Sequence, residues 1–244
     1  RTSDSVEWPN VFFGSFEVEF FKLPYFLIET IIKEKQDNFC FYNLNGELSN
    51  YFAFVSNKDL VKKNKLIEGN QNVLRARFED ARFFIDEDLK VSLDQRIKKL
   101  SSIIFYDNLG SLKDRAFRIV DLCEVISIKL NFKINSFKSE LIYSNFDLTT
   151  DIVKEYPTLQ GLAGGFYSKI FKFNESVSEA FSNQYKSIFT KVNTLSIILS
   201  VAQKVDSIFG FFSSQKKISG SGDPFGIRRL VLSLIRLMIE NDIN

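Results

Sequence analysis

DSIFGFFSSQKKISGSGDPFGIRRLVLSLIRLM, residues Asp206 to Met238, places three elements in a row. An apolar run ends at Phe212. A loop of Ser219-Gly220-Ser221-Gly222 follows, and Asp223-Pro224 then opens a second apolar run. Asp accepts from N–H groups that a first helical turn leaves unpaired, and Pro has no donor to strand there, so the pair predicts a helix start. Beyond it Leu230, Val231, Leu234, Leu237 and Met238 form a broad apolar face. Arg229, Ser233, Arg236 and Glu240 recur at helical spacing on the other side. The expectation is a packed helix with a basic edge. The loop lacks the Gly-Lys-Ser/Thr ending of a phosphate-cradling P-loop.

The rest of the chain is read by the same periods. Residues 36–57 predict a β-hairpin: Phe39, Phe41 and Leu44 precede the turn pair Asn45-Gly46, and Leu48, Phe52, Phe54 and Val55 follow it. A helix start is expected near Pro24. From Gly69 the period turns helical, with Leu74, Phe78, Ala81 and Ile85 on one face and a ladder of Arg75, Glu79, Arg82 and Asp86 on another. Further helices are expected over residues 89–104, from Gly110-Ser111 to about Leu130, over 136–155, over 174–190 and over 192–212. Tyr156 to Gly161 reads as a break. Lys58, Lys62, Lys63 and Lys65 read as a solvated connector.

Composition narrows the chemistry. The 244 residues carry 45% hydrophobic and 25% charged side chains, enough for a sizeable core. A net charge of +2 means that any nucleic-acid contact must come from local patches. Cys40 and Cys123 stand far apart without metal-ligand spacing, which favours two small buried hydrophobes in a reducing compartment. No apolar run is expected to span a membrane, and the opening residues do not read as a signal peptide. The absence of histidine is the sharpest exclusion: it removes Ser-His-Asp and Cys-His nucleophiles and His-ligated metal sites.

Several segments, in order, resemble one family. Glu7-Trp8-Pro9, Gly14-Ser15-Phe16 and Leu23-Pro24 come first. The hairpin follows, with Gln36, Phe39, Asn45-Gly46 and Val55-Ser56-Asn57. Then come GNQNVLRARFEDARFFIDEDLK from Gly69, Leu109-Gly110-Ser111 with Asp114, Arg115 and Arg118, Asp147-Leu148 with Leu159-Gln160-Gly161, Leu199 to Phe212, and GSGDPFGIRR. Together they are similar to the β subunit of bacterial heterotetrameric glycyl-tRNA synthetase. Departures are local: Lys35 and Asn38 stand where the pattern has His and Tyr, Ser144 and Asn145 stand where it has a Lys before the Asp, and Gln203 replaces an Asp.

The resemblance implies an α+β chain, mainly α. Residues 1–68 would be the end of an upstream α/β domain with its hairpin, and residues 69–244 a helical HD-like domain. The chain would be the middle of a longer subunit. The whole enzyme would be a cytoplasmic α2β2 tetramer that joins glycine to tRNA(Gly), with ATP and Mg used at the α subunit and no cofactor or active site here. The expected partners are the α subunit and tRNA(Gly), with no membrane involved. An HD-type metal-dependent phosphohydrolase is the alternative enzyme reading, and its ligands are missing: Asp147 and Asp206 remain without any His. A purely structural docking module is the other alternative.

Candidate tRNA contacts are Lys113, Arg115 and Arg118 at one helix start, Lys216 and Lys217 in the loop, and Arg228, Arg229 and Arg236. Cations near a helix start suit phosphate, and such contacts would position RNA without reading its sequence. The competing reading pairs the arginines with Asp114, Asp121, Asp223 and Glu240. Asp147, Lys204, Asp206, Asp223 and Pro224 read as structural, through packing or capping, with Asp147 and Asp206 as partners for Lys204 or the Arg228-Arg229 pair.

Overall fold

A computed structural model describes residues 7–57, 63–105, 109–186, 192–213, 226–241 and 243. The chain divides into two units, Arg1–Asp88 and Leu89–Asn244.

In the first unit, strand β1 (Asn10–Ser15), helix α1 (Tyr25–Thr30), strands β2 (Phe39–Tyr42) and β3 (Leu48–Ser56), and most of helix α2 (Lys63–Lys90) follow one another. The predicted hairpin is β2–β3. Its turn is held by the Asn43 side chain, whose Oδ1 accepts from the Asn45 and Glu47 amides at 2.9 Å each. β1 adds a third antiparallel strand on the other side of β3, with Phe12 opposite Phe54. The two-residue period buries Phe12, Phe52 and Phe54 on one face and leaves Val11, Phe13, Phe39 and Tyr51 exposed on the other. On α2, Leu74, Phe78, Ala81 and Ile85 are buried as their spacing predicts. The Phe78 ring meets Phe16 and Phe20 at 5.1 Å each. Arg75 of the expected ladder reaches outside the helix and pairs with Glu17, with Glu79 adding a weaker attraction.

The second unit is helical: α3 (Leu93–Leu100), α4 (Leu112–Lys129), α5 (Lys138–Leu141), α6 (Asp151–Glu155), α7 (Leu162–Ile170), α8 (Glu175–Asn183), α9 (Thr194–Ser213) and α10 (Ile227–Glu240). Two expected helices are broken by local capping. The helix expected over 89–104 is split because Ser92 and Gln95 form a reciprocal capping box that starts α3 afresh. The helix expected over 136–155 breaks into α5, a 3-10 turn at Phe146–Thr149 and α6. There Thr150 Oγ1 donates to the Asp147 carbonyl at 2.5 Å and accepts from the Val153 amide at 3.2 Å. The helix expected over 174–190 is shorter too: α8 ends at Asn183, and residues 187–191 lie outside the described ones.

α9 is the spine of this unit and packs against α4, α8 and α10. Among the described residues it is the one helix long and apolar enough to cross a bilayer, yet 67% of that stretch is buried inside the protein. α7 and α8 lie very close. A Cβ on Gly165 would fall 1.7 Å from Ser182 Oγ and 2.7 Å from the Ser178 carbonyl, so only glycine fits. α10 buries Ile227, Ser233 and Leu237, with Leu230 and Leu234 half-buried beside them. Ser233 therefore belongs to the packed face and not to the basic edge. Opposite that face, Leu232, Ile235 and Ile239 are exposed.

Candidate functional site

Polar side chains converge at the centre of the helical unit. α4 begins with Ser111, whose Oγ accepts from the Asp114 amide at 3.2 Å while Asp114 Oδ2 accepts from Ser111 N and Oγ at 2.7 Å each. These bonds hold the Asp114 carboxyl below the usual carboxylate range. The cap sets the phase of α4 and puts Arg115 and Arg118, three residues apart, on the side facing α9. There Asp206 takes both: Arg115 Nε donates to Oδ2 at 3.1 Å and Arg118 Nε to Oδ1 at 2.8 Å. Arg115 also donates to Ser207 Oγ at 2.8 Å, and its guanidinium lies 4.1 Å from the centre of the Phe105 ring.

One turn earlier on α9 a second network begins. Gln203 Nε2 donates to Gln184 Oε1 at 2.8 Å and to Asn145 Oδ1 at 3.1 Å. Asn145 Oδ1 also accepts from the Tyr185 hydroxyl at 2.7 Å. Gln184 Nε2 reaches the Ser144 carbonyl at 2.8 Å. Lys204 Nζ donates to Ser200 Oγ at 2.5 Å and to the Lys186 carbonyl at 3.2 Å, and burial pushes its ammonium pKa down to about 8. Asp147 is fully buried. Its Oδ2 accepts from the Gly161 amide at 2.6 Å, while Oδ1 has no partner. Burial outweighs these amide bonds and lifts the Asp147 pKa to about 6. Gly161 donates from φ +87, a backbone conformation open chiefly to glycine.

The predicted residues are thus sorted by the fold. Arg115 is buried and Arg118 half-buried, both bound to Asp206 across 91 and 88 residues of sequence. Asp206 is not the partner of Lys204. Lys113 is half-buried, and Arg228, Arg229 and Arg236 are exposed on α10. Lys216, Lys217, Asp223 and Pro224 lie outside the described residues. The cluster of Asn145, Gln184, Gln203 and Tyr185 went unrecognised as a unit. The available signal was the run of polar residues Ser200, Gln203, Lys204 and Asp206 on one mainly apolar helix, α9.

The donor set does not fit the metal ion of an HD-type hydrolase. The chain has no histidine, and Asp206 spends both oxygens on arginines. Among the described residues no three His, Cys, Asp or Glu side chains converge as ligands. Cys123 is buried and Cys40 half-buried, both as free thiols.

The glycyl-tRNA synthetase beta subunit family model matches residues 2–244. The chain belongs to this family. It is 37% identical over 243 residues to the glycine–tRNA ligase beta subunit of Coxiella burnetii (strain RSA 493 / Nine Mile phase I), covering 98% of this chain and 35% of that relative. The Rickettsia prowazekii (strain Madrid E) beta subunit is 37% identical over 241 residues, covering 96% and 35%. That of Limosilactobacillus fermentum is 35% identical over 248 residues, covering 98% and 36%. The chain therefore spans about a third of the length of these family members. As a stretch of this family, it uses Arg115, Arg118 and Asp206 to tie α4 to α9.

Proposed function

We propose that this chain is the portion of a glycine–tRNA ligase beta subunit that supports tRNA(Gly) binding and assembly with the catalytic alpha subunit. In this reading ATP and Mg are used at the alpha subunit of a cytoplasmic α2β2 enzyme, and this stretch carries no active site. The helical unit is read as an HD-like domain that has lost its metal ligands. The observation that carries the reading is the family match along almost the entire chain. Its electrostatics agree with it: Asp206 is engaged by Arg115 and Arg118, while Arg229 and Arg236 are exposed and have no carboxylate within 4 Å among the described residues. Phosphate contacts from Lys113, Arg229 and Arg236, together with Lys216 and Lys217, would position RNA without reading sequence.

Fluorescence-anisotropy titration with labelled tRNA(Gly) and a non-cognate tRNA, at low and moderate salt, tests this. Binding that weakens steeply as salt rises is expected. Absence of binding at about 100 μM, the weak end of non-specific nucleic-acid affinity, would favour the docking reading. That second reading draws on the exposed stripe of Leu232, Ile235 and Ile239 on α10. Its mark would be salt-insensitive co-purification with the alpha subunit.

A further inference from the structure

The sheet of the first unit is apolar on both faces. Phe12, Phe52 and Phe54 are buried on one. The other carries Val11 and Phe13 of β1, Phe39 and Phe41 of β2 and Tyr51 of β3, each between 38% and 58% exposed. The register sets them side by side. Phe13 and Phe39 both stand opposite Ala53, and the Phe13 and Phe41 rings lie 5.9 Å apart across β3. Ala53 is small and only 5% exposed, so aromatic side chains flank a shallow trough over the middle strand. Ser15 and Val55 share this face by register with Tyr51 and Val11, and no described strand residue on it is charged. An antiparallel sheet with one wet face alternates apolar with polar side chains. A sheet apolar on both faces is the pattern of one packed between two layers, and an exposed apolar patch marks a contact surface.

We propose that this face is covered by an apolar element from another part of the same beta subunit, which makes the sheet the middle layer of a larger domain. The inference rests on the reading of this chain as a portion of such a subunit. Two observations select the occupant. The chain spans 35–36% of the family members it matches, so the larger part of each lies outside the matched stretch and can supply a second layer. The face also lacks the chemistry of an RNA surface. Aromatic rings can stack bases, but they do so beside cations that track the backbone, and phosphate contacts supply most of the affinity. Here the described strand residues offer no cation. An element in the same polypeptide is held close by its tether, at an effective concentration that a separate partner does not reach. It also avoids much of the translational and rotational freedom that a separate partner loses on binding.

Thiol labelling of the full-length beta subunit containing this chain tests the proposal. Tyr51→Cys and Phe13→Cys each place a thiol on the face, and the parent subunit, with Cys40 and Cys123, gives the background. A thiol on an open face reacts almost as fast in the native protein as in urea, whereas a covered one reacts only when the layer opens. Labelling of both variants is expected to be at least about tenfold slower in the native subunit than in urea. Tyr51→Glu should lower the melting temperature of the same subunit, because it drives a charge into an apolar contact. Labelling at the unfolded rate in either cysteine variant, with its melting transition intact, overturns the proposal. Protection that disappears on dilution also overturns it and identifies a second copy as the cover. Protection that appears only when the alpha subunit or tRNA is added overturns it in favour of that partner. The proposed function fails separately, as absence of salt-sensitive tRNA binding in a subunit whose two introduced thiols are still protected.

Discussion

Arg115 and Asp206 meet at 3.1 Å with side chains only 7% and 6% exposed, joining the first turn of α4 to the middle of α9. Arg118 completes the arrangement from 35% exposure, so Asp206 holds one inner and one outer cation.

Removing Asp206 strands the inner one. Asp206→Ala is expected to destabilise the chain by roughly 3–5 kcal/mol, since a buried cation then lacks its anion. The double variant Asp206→Ala with Arg115→Leu should recover part of that loss. Urea denaturation of the two variants measures it. Equal losses from the single and double variants would mean that packing, not the stranded charge, sets the cost.

Asp147 should make stability fall as pH rises through mild acid. Its carboxyl ordinarily titrates near 3.8 and in the fold near 6, so between those values the folded chain holds more protons than the unfolded one. The penalty for ionisation is absent below about pH 4 and complete above about pH 6, reaching roughly 3 kcal/mol. Asp147→Asn keeps an oxygen for the Gly161 amide and removes the titration. Thermal melts from pH 4 to 7 should lose this component in the variant, and an unchanged slope would exclude Asp147 as its source. Lys204 acts at the other end. Its pKa falls from 10.5 to about 8, so the unfolded chain holds more protons in that window and this group's contribution to stability rises with pH there.

Gly165→Ala is expected to cost about 1–3 kcal/mol or more, because the added methyl meets Ser182 Oγ and the Ser178 carbonyl together. Ser182→Ala removes the first obstacle but not the second, so the pair should recover only in part. Full recovery would show that the α7–α8 backbones can separate at little cost.

Arg236→Gln should weaken binding of cognate and non-cognate tRNA alike and lower the salt slope by about 1, as loss of one phosphate contact does. Arg115→Gln should instead lower the melting temperature and leave that slope alone, because Arg115 is buried against Asp206. A reversed pattern would place the RNA surface on α4.

Much of the local structure is determined by the sequence itself. Asn45-Gly46 announces the hairpin, Gly110-Ser111 announces the start of α4, and the spacing of Leu74, Phe78, Ala81 and Ile85 announces the buried face of α2. Each signal is short-range: a turn, a cap or a helical period acts within a few residues, so it can be read along the chain. The family resemblance is legible for a related reason, since its motifs cover those same caps, turns and faces.

Only the tertiary structure decides which polar residues meet. Arg115 and Asp206 are 91 residues apart, and Gln203 and Asn145 are 58 apart. No periodicity links them, and a basic residue at a helix start looks the same in sequence whether it faces solvent or a neighbouring helix. Packing of α4 and α8 on α9 makes that choice. It buries Arg115 against a carboxylate and leaves Arg236 outside. It turns Gln203, one of several polar residues on a helix with a mostly apolar sequence, into the centre of a hydrogen-bonded core, because a buried amide must find partners wherever the fold brings them.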